Sequence, residues 1–129
     1  DVARKALILA RLMGFEGELS DVQVESLVPE AARQLTTARF LATLHEQDAA
    51  WATRQAAAER QGKVLRYVLR ATRRAVRVGL QAVDRSHPLA SLRGTDNQIV
   101  FTTRRYREYP LVITGPGAGP EVTAAGVLN

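Results

Sequence analysis

The apolar positions of the chain follow two periods, and the switch between them divides it. Over residues 1–13 the spacing is helical. Val2, Ala6, Leu9 and Met13 make one apolar stripe, and Ala3, Leu7 and Ala10 make a second beside it. Asp1, Arg4, Lys5 and Arg11 share the remaining face, which predicts a largely buried helix with one narrow polar edge. Gly14 stands where a helix ends. Residues 23–29 alternate imperfectly and predict a strand, followed by a loop or weak helical turn over 30–37. Residues 37–61 are Ala-rich and helical, with an apolar patch at Phe40, Leu41 and Leu44. A break is predicted near His45–Asp48, with Asp48 as N-cap of a second helix that Trp51 anchors and Gly62 ends.

After Gly62 the period becomes two. Residues 63–70 and 75–84 predict strands, joined through Ala71, Thr72, Arg73 and Arg74. That turn lacks an Asn-Gly or Asp-Gly signal, so its type is not specified. His87-Pro88 opens a short helical turn through Leu92, and residues 94–97 read as a turn. Residues 99–103 and 111–114 are further strands. A glycine-rich run, Gly115-Pro-Gly-Ala-Gly-Pro120, then leads into a helix start. The pattern predicts an α+β fold: an open-faced, mixed, mainly antiparallel sheet with two or three helices packed on one face. There is no evident internal repeat.

Composition narrows the function classes. With 46% hydrophobic and 24% charged residues, the chain has the balance of a soluble globule, and its 129 residues suit one domain. No run approaches the roughly 20 apolar residues of a membrane-spanning helix. The chain has no cysteine, so disulfides, thiolate metal sites and cysteine nucleophiles are excluded. It opens directly on helical sequence without an initiator Met and closes on a helix scarcely begun. Both ends read as cut, and a piece of a longer protein is expected.

Four constellations could carry chemistry. The first is the glycine run. A strand, a glycine loop and a helix N-terminus let a ligand approach backbone closely. Pro116 and Pro120 remove two N–H donors, and Glu121 places a carboxylate in the first helical turn. Both argue against a pyrophosphate cradle, leaving contact with a flat, less charged part of a ligand, or a tight turn packing strand to helix. The second is Asp1 and Lys5, an i, i+4 pair. It is either a helix-stabilising pair or a carboxylate and an ammonium facing a cleft, where lysine can polarise a carbonyl oxygen. The third is arginine, which supplies 16 of the 18 basic residues against a net charge of +5. Arg66, Arg70, Arg73, Arg74 and Arg77 crowd one hairpin; Arg104, Arg105 and Arg107 lie with Tyr106 and Tyr109. A nucleic-acid surface would need more aromatic residues than 5%, so a solvated, edge-protecting face is expected. The fourth is His45 and His87, which lack a carboxylate at metal-ligand spacing and read as structural. No metal site is expected.

Asp1-Val-Ala-Arg-Lys5-Ala-Leu-Ile-Leu-Ala-Arg11 resembles the signature helix of homoserine dehydrogenases. Val24-Glu-Ser-Leu-Val-Pro29, Gly62-Lys-Val-Leu-Arg-Tyr-Val68 and Gly115-Pro-Gly-Ala-Gly-Pro-Glu-Val-Thr-Ala-Ala-Gly-Val127 agree with the same family in order. His87-Pro-Leu-Ala-Ser-Leu92 is most similar to the dehydrogenase half of bifunctional aspartokinase–homoserine dehydrogenases. The resemblance implies an oxidoreductase that interconverts aspartate β-semialdehyde and homoserine with NADP(H) or NAD(H). It implies that Asp1 holds the substrate's polar groups and that Lys5 binds substrate and assists proton transfer at the aldehyde oxygen. Gly117, Gly119 and Glu121 would lie at the nicotinamide end of the cofactor. A cytoplasmic homodimer formed through sheet strands is implied, with neither nucleic acid nor membrane as partner. Residues 1–129 would be the catalytic and dimerisation domain, with the dinucleotide-binding domain upstream and the final helix incomplete, so the fragment is expected to be inactive. A non-catalytic dimerisation or regulatory module that kept the fold is the alternative.

Overall fold

A computed structural model describes residues 2–128. The chain forms two compact units, Asp1–Ala82 and Val83–Asn129. Asp1, expected to bind substrate, lies outside the described residues. The architecture is α+β, as the pattern predicts, with open sheets.

In the first unit, α1 spans Val2–Leu12. Gly14, at φ +92°, reverses the chain after it, and the Phe15 N–H returns to the Ala10 carbonyl at 3.0 Å. The Ala3, Leu7 and Ala10 stripe faces the core, whereas of the other stripe only Ala6 is fully buried. Ala6, Leu7 and Ala10 are inside, whereas Val2, Ile8, Leu12 and Met13 are exposed. The buried residues pack with Val22, Val76 and Val78, and Leu69, Ala71 and Phe15 border this core. Small alanines let the helix backbone approach the strands closely.

Residues 37–60 break as expected. The first helix, α2 (Thr37–Ala42), is capped by Thr36, whose Oγ1 accepts from the Arg39 N–H. A 3₁₀ turn, Leu44–Gln47, runs straight into α3 (Asp48–Arg60). Asp48 is therefore the first residue of α3 and not its N-cap. Its backbone is already helical at φ −57°, ψ −43°, and its N–H is bonded to the His45 carbonyl, so the extended geometry that a cap requires is absent. Gly62 at φ +69° ends this segment.

Three strands make the first sheet, in the order β1 (Gln23–Val24), β3 (Val76–Asp84), β2 (Lys63–Ala71). The expected strand over 23–29 is two residues long, paired parallel with Gln23 opposite Arg77 and Val24 opposite Val78. Its early end has a local cause. The Glu25 N–H still reaches the Val78 carbonyl at 2.8 Å, but the Glu25 carbonyl accepts the Tyr67 hydroxyl at 2.8 Å. The next ladder donor, Leu80 N–H, goes to Glu25 Oε2 at 3.3 Å. A side-chain carboxylate thus replaces its own backbone carbonyl. It lies over Gly79, where a β-carbon would sit 2.7 Å from Glu25 Oε2.

Thr72 supplies what the β2–β3 turn lacks in Asn-Gly. Its N–H bonds the Ala75 carbonyl at 2.9 Å, and its Oγ1 accepts from Arg74 N at 3.2 Å and Ala75 N at 3.0 Å. The same arrangement recurs in the second unit at Thr103. Its N–H meets the Tyr106 carbonyl, and its Oγ1 accepts from Arg105 N and Tyr106 N. Both turns read Thr-Arg-Arg, and both arginine pairs are exposed.

The second unit holds the 3₁₀ turn Pro88–Ser91, β4 (Asp96–Phe101), β5 (Leu111–Pro116) and α4 (Pro120–Leu128). The strands pair antiparallel, from Asp96 opposite Pro116 to Phe101 opposite Leu111, as a separate two-stranded sheet. β4 begins three residues earlier than predicted, whereas β5 begins at the predicted residue and runs two further. Asp96 and Asn97, read as turn residues, begin β4, and Gly115 and Pro116, read as loop, end β5. Ladder pairing overrides their turn chemistry, and Pro116, which lacks an N–H, is tolerated at a strand's last position.

Candidate functional site

Lys5 lies in the second turn of α1, beside buried Ala6, with its side chain exposed. The stripe that buries Ala6, Leu7 and Ala10 fixes the helix and so fixes the direction in which Lys5 leaves it. Lys5 belongs to the first unit and the glycine run to the second.

The glycine run is a loop of three residues, 117–119, between β5 and α4. Its glycines differ physically. A β-carbon on Gly115 would meet nothing within 4 Å. At Gly117 it would overlap the Asn97 side-chain amide, with Oδ1 at 2.7 Å. Gly119 has open space around it but adopts φ +139°, a conformation that side chains rarely tolerate. Of the three, Gly119 is held to glycine by its backbone conformation, and a side chain at Gly117 would displace the Asn97 amide. The Gly117 N–H extends the β4–β5 ladder by one bond, to the Thr95 carbonyl at 3.2 Å. The Gly119 carbonyl accepts the first bond of α4, from Thr123 N at 3.0 Å. Glu121 is in the first turn of α4 and exposed.

This loop offers few donors to a phosphate. Pro116 and Pro120 give no N–H, the Gly117 N–H is already engaged, and Glu121 sets a carboxylate at the helix start. Asn97, which the sequence reading assigned to a turn, is the residue missed here. No local signal reveals it, because its contact with Gly117 depends on the pairing of two strands.

His87 is structural: its Nδ1 accepts the Leu89 N–H at 3.2 Å and caps the 3₁₀ turn. His45 is exposed. Arg73, Arg74, Arg104, Arg105 and Arg107 are exposed as well. A cleft of about 360 Å³ lies in the first unit between α3 and β2, walled by Trp51, Gln55, Glu59 and Lys63. Arg54 stacks over the Trp51 ring at 5.1 Å. No helix among the described residues is long and apolar enough to cross a membrane.

The profile of the homoserine dehydrogenase family matches residues 1–129. A chloroplastic bifunctional aspartokinase/homoserine dehydrogenase of Zea mays is 51% identical over 131 residues, covering 99% of this chain and 14% of that protein. The homoserine dehydrogenase of Schizosaccharomyces pombe is 46% identical over 133 residues, covering 100% of this chain and 35% of that protein. A solved Candida auris protein of unknown function matches with a TM-score of 0.89 and 46% identity, over 98% of this chain and 36% of that one. A candidate homoserine dehydrogenase from Archaeoglobus fulgidus matches with a TM-score of 0.64 and 26% identity, over 98% of this chain and 32% of that one. The chain therefore spans only part of each protein it matches.

Proposed function

This chain belongs to the homoserine dehydrogenase family, and from that premise we propose that it is the substrate-binding and dimerisation part of an enzyme interconverting aspartate β-semialdehyde and homoserine. The family match over residues 1–129 carries the reading. Nicotinamide dinucleotide, NADP or NAD, supplies the hydride when bound, a chemistry no side chain provides. Lys5 presents its ammonium to the aldehyde oxygen. As hydride reaches the carbonyl carbon, the oxygen takes a proton from Lys5, giving the primary alcohol, and solvent restores the lysine proton. Asp1 binds the substrate's ammonium. Gly117 and Gly119 lie against the nicotinamide end, and Glu121 stands at its border. The protein pairs with a second copy through sheet strands. The exposed Leu111, Val112 and Ile113 of β5 support that reading.

The test is homoserine-dependent reduction of NADP, followed by absorbance, with and without a dinucleotide-binding domain fused ahead of residue 1. The isolated chain should be silent, because no phosphate site is offered by its glycine loop. The fusion, using the remainder of the Schizosaccharomyces pombe relative, should turn over. Turnover by the isolated chain would overturn its role as a partial site. A folded fusion without turnover would make the chain a non-catalytic module.

A further inference from the structure

Asn97 sits on β4 opposite Gly115, on the strand face it shares with Ile99 and Phe101. Its side-chain amide is laid against the backbone of Gly117, so closely that a β-carbon there would overlap it. Two independent constraints hold the partner surface in place. The Gly117 N–H is tied to the Thr95 carbonyl at 3.2 Å, and Gly119 turns the chain at φ +139° into α4. The next residue along, Gln98, is committed to the sheet, its Nε2 donating to Thr114 Oγ1 at 2.9 Å. Asn97 is not so committed. Its residue is exposed, and its amide makes no hydrogen bond with the described residues. An exposed amide with N–H donors and an acceptor oxygen therefore lies against the glycine loop.

We propose that Asn97 is a binding residue for the carboxamide of the nicotinamide ring, pairing with it amide to amide. Oδ1 accepts from the carboxamide NH₂, and Nδ2 donates to the carboxamide oxygen. Gly117 is a glycine so that the Asn97 amide can lie flat in reach of that group. The inference rests on the proposed placement of the nicotinamide end at Gly117 and Gly119. It adds a residue and a recognised group to that placement.

Equilibrium binding separates the two layers. The complete enzyme carrying this domain is titrated, by calorimetry, with NADP and with its 3-acetylpyridine analogue, in which the carboxamide NH₂ becomes CH₃. The parent should prefer the natural cofactor by roughly two- to tenfold, the worth of one neutral hydrogen bond. Asn97→Leu, of similar size, should weaken NADP and bring the ratio of the two Kd values to about one. Asn97→Asp keeps the acceptor and should keep the preference. Equal weakening of both cofactors by Asn97→Leu, with the ratio unchanged, would mean that Asn97 only packs the loop, and the proposal falls. Gly117→Ala tests the layer beneath. If it leaves the affinity for both cofactors unchanged, the glycine loop is not at the nicotinamide, and that placement falls with it. If it weakens both while the ratio ignores Asn97, only the amide pairing is lost.

Discussion

The first unit buries Ala6, Leu7, Ala10, Val22, Val76 and Val78 against one another, whereas the β4–β5 hairpin of the second leaves Leu111, Val112 and Ile113 in solvent. One region is held by side chains in close contact, and the other by a backbone ladder with a few polar ties, Gln98 to Thr114 and Asn97 on Gly117. The difference suits the work proposed for each. Lysine chemistry depends on aiming a long, flexible side chain, and a helix fixed by a packed stripe provides the aim. A loop that receives a flat ring depends on backbone shape, which glycine conformation and strand register set without a core beneath.

The largest expected effect separates chemistry from binding. In the complete enzyme, Lys5→Ala should lower turnover by about 10²–10⁴-fold, the usual worth of a positioned general acid. Circular dichroism and dinucleotide affinity should stay as they are, because the side chain is exposed and lies outside the glycine loop. If turnover barely changes, Lys5 has no part in the proton transfer, and the division of labour between helix and loop is wrong.

Next comes the core. Leu7→Ala removes a buried side chain and should destabilise the chain by about 2–5 kcal/mol. Urea unfolding would show this as a lowered midpoint. Hydrogen exchange on the same variant sharpens the contrast. The amide of Val76 should lose protection more than those of Val100 and Val112. Equal losses would make the two regions one cooperative body.

Much of the first unit was legible in the sequence because its signals are local. Helical spacing placed α1, and Gly14 and Gly62 marked helix ends that their positive φ values require. Local signals also misled. Both α1 stripes are apolar, yet the core takes Leu7 and Ala10 of one and only Ala6 of the other, leaving Val2 and Met13 exposed. β1 reads as a longer strand, but Glu25 ends it by spending its carboxylate on Leu80 and its carbonyl on Tyr67, 42 residues away. In the second unit the glycine loop was legible and its partner was not. Asn97 has the composition of a turn and the position of a strand, and only the register with Gly115 decides between them.

The smallest expected effect tests the same motif in both regions. Thr72 and Thr103 each hold two backbone N–H groups through one hydroxyl, in turns with the same Thr-Arg-Arg sequence. Replacing either by Ala removes these two bonds at an exposed site, and at Thr72 also the one its hydroxyl donates to the Ala75 carbonyl, while Ser keeps them. Each lost bond is worth about 0.5–1.5 kcal/mol. The consequences should differ, because Thr72 closes the hairpin whose strands carry Val76 and Val78 in the core, and Thr103 closes a loop between strands with exposed apolar residues. Thr72→Ala should shift the global urea midpoint, and Thr103→Ala should leave it nearly unchanged while speeding exchange at the Arg105 and Tyr106 amides. Thr103→Ser should restore that protection. If Thr103→Ala shifts the midpoint as far as Thr72→Ala does, the second region contributes to global stability as fully as the packed one. Its exposed apolar strand residues would then not mark it as the looser of the two.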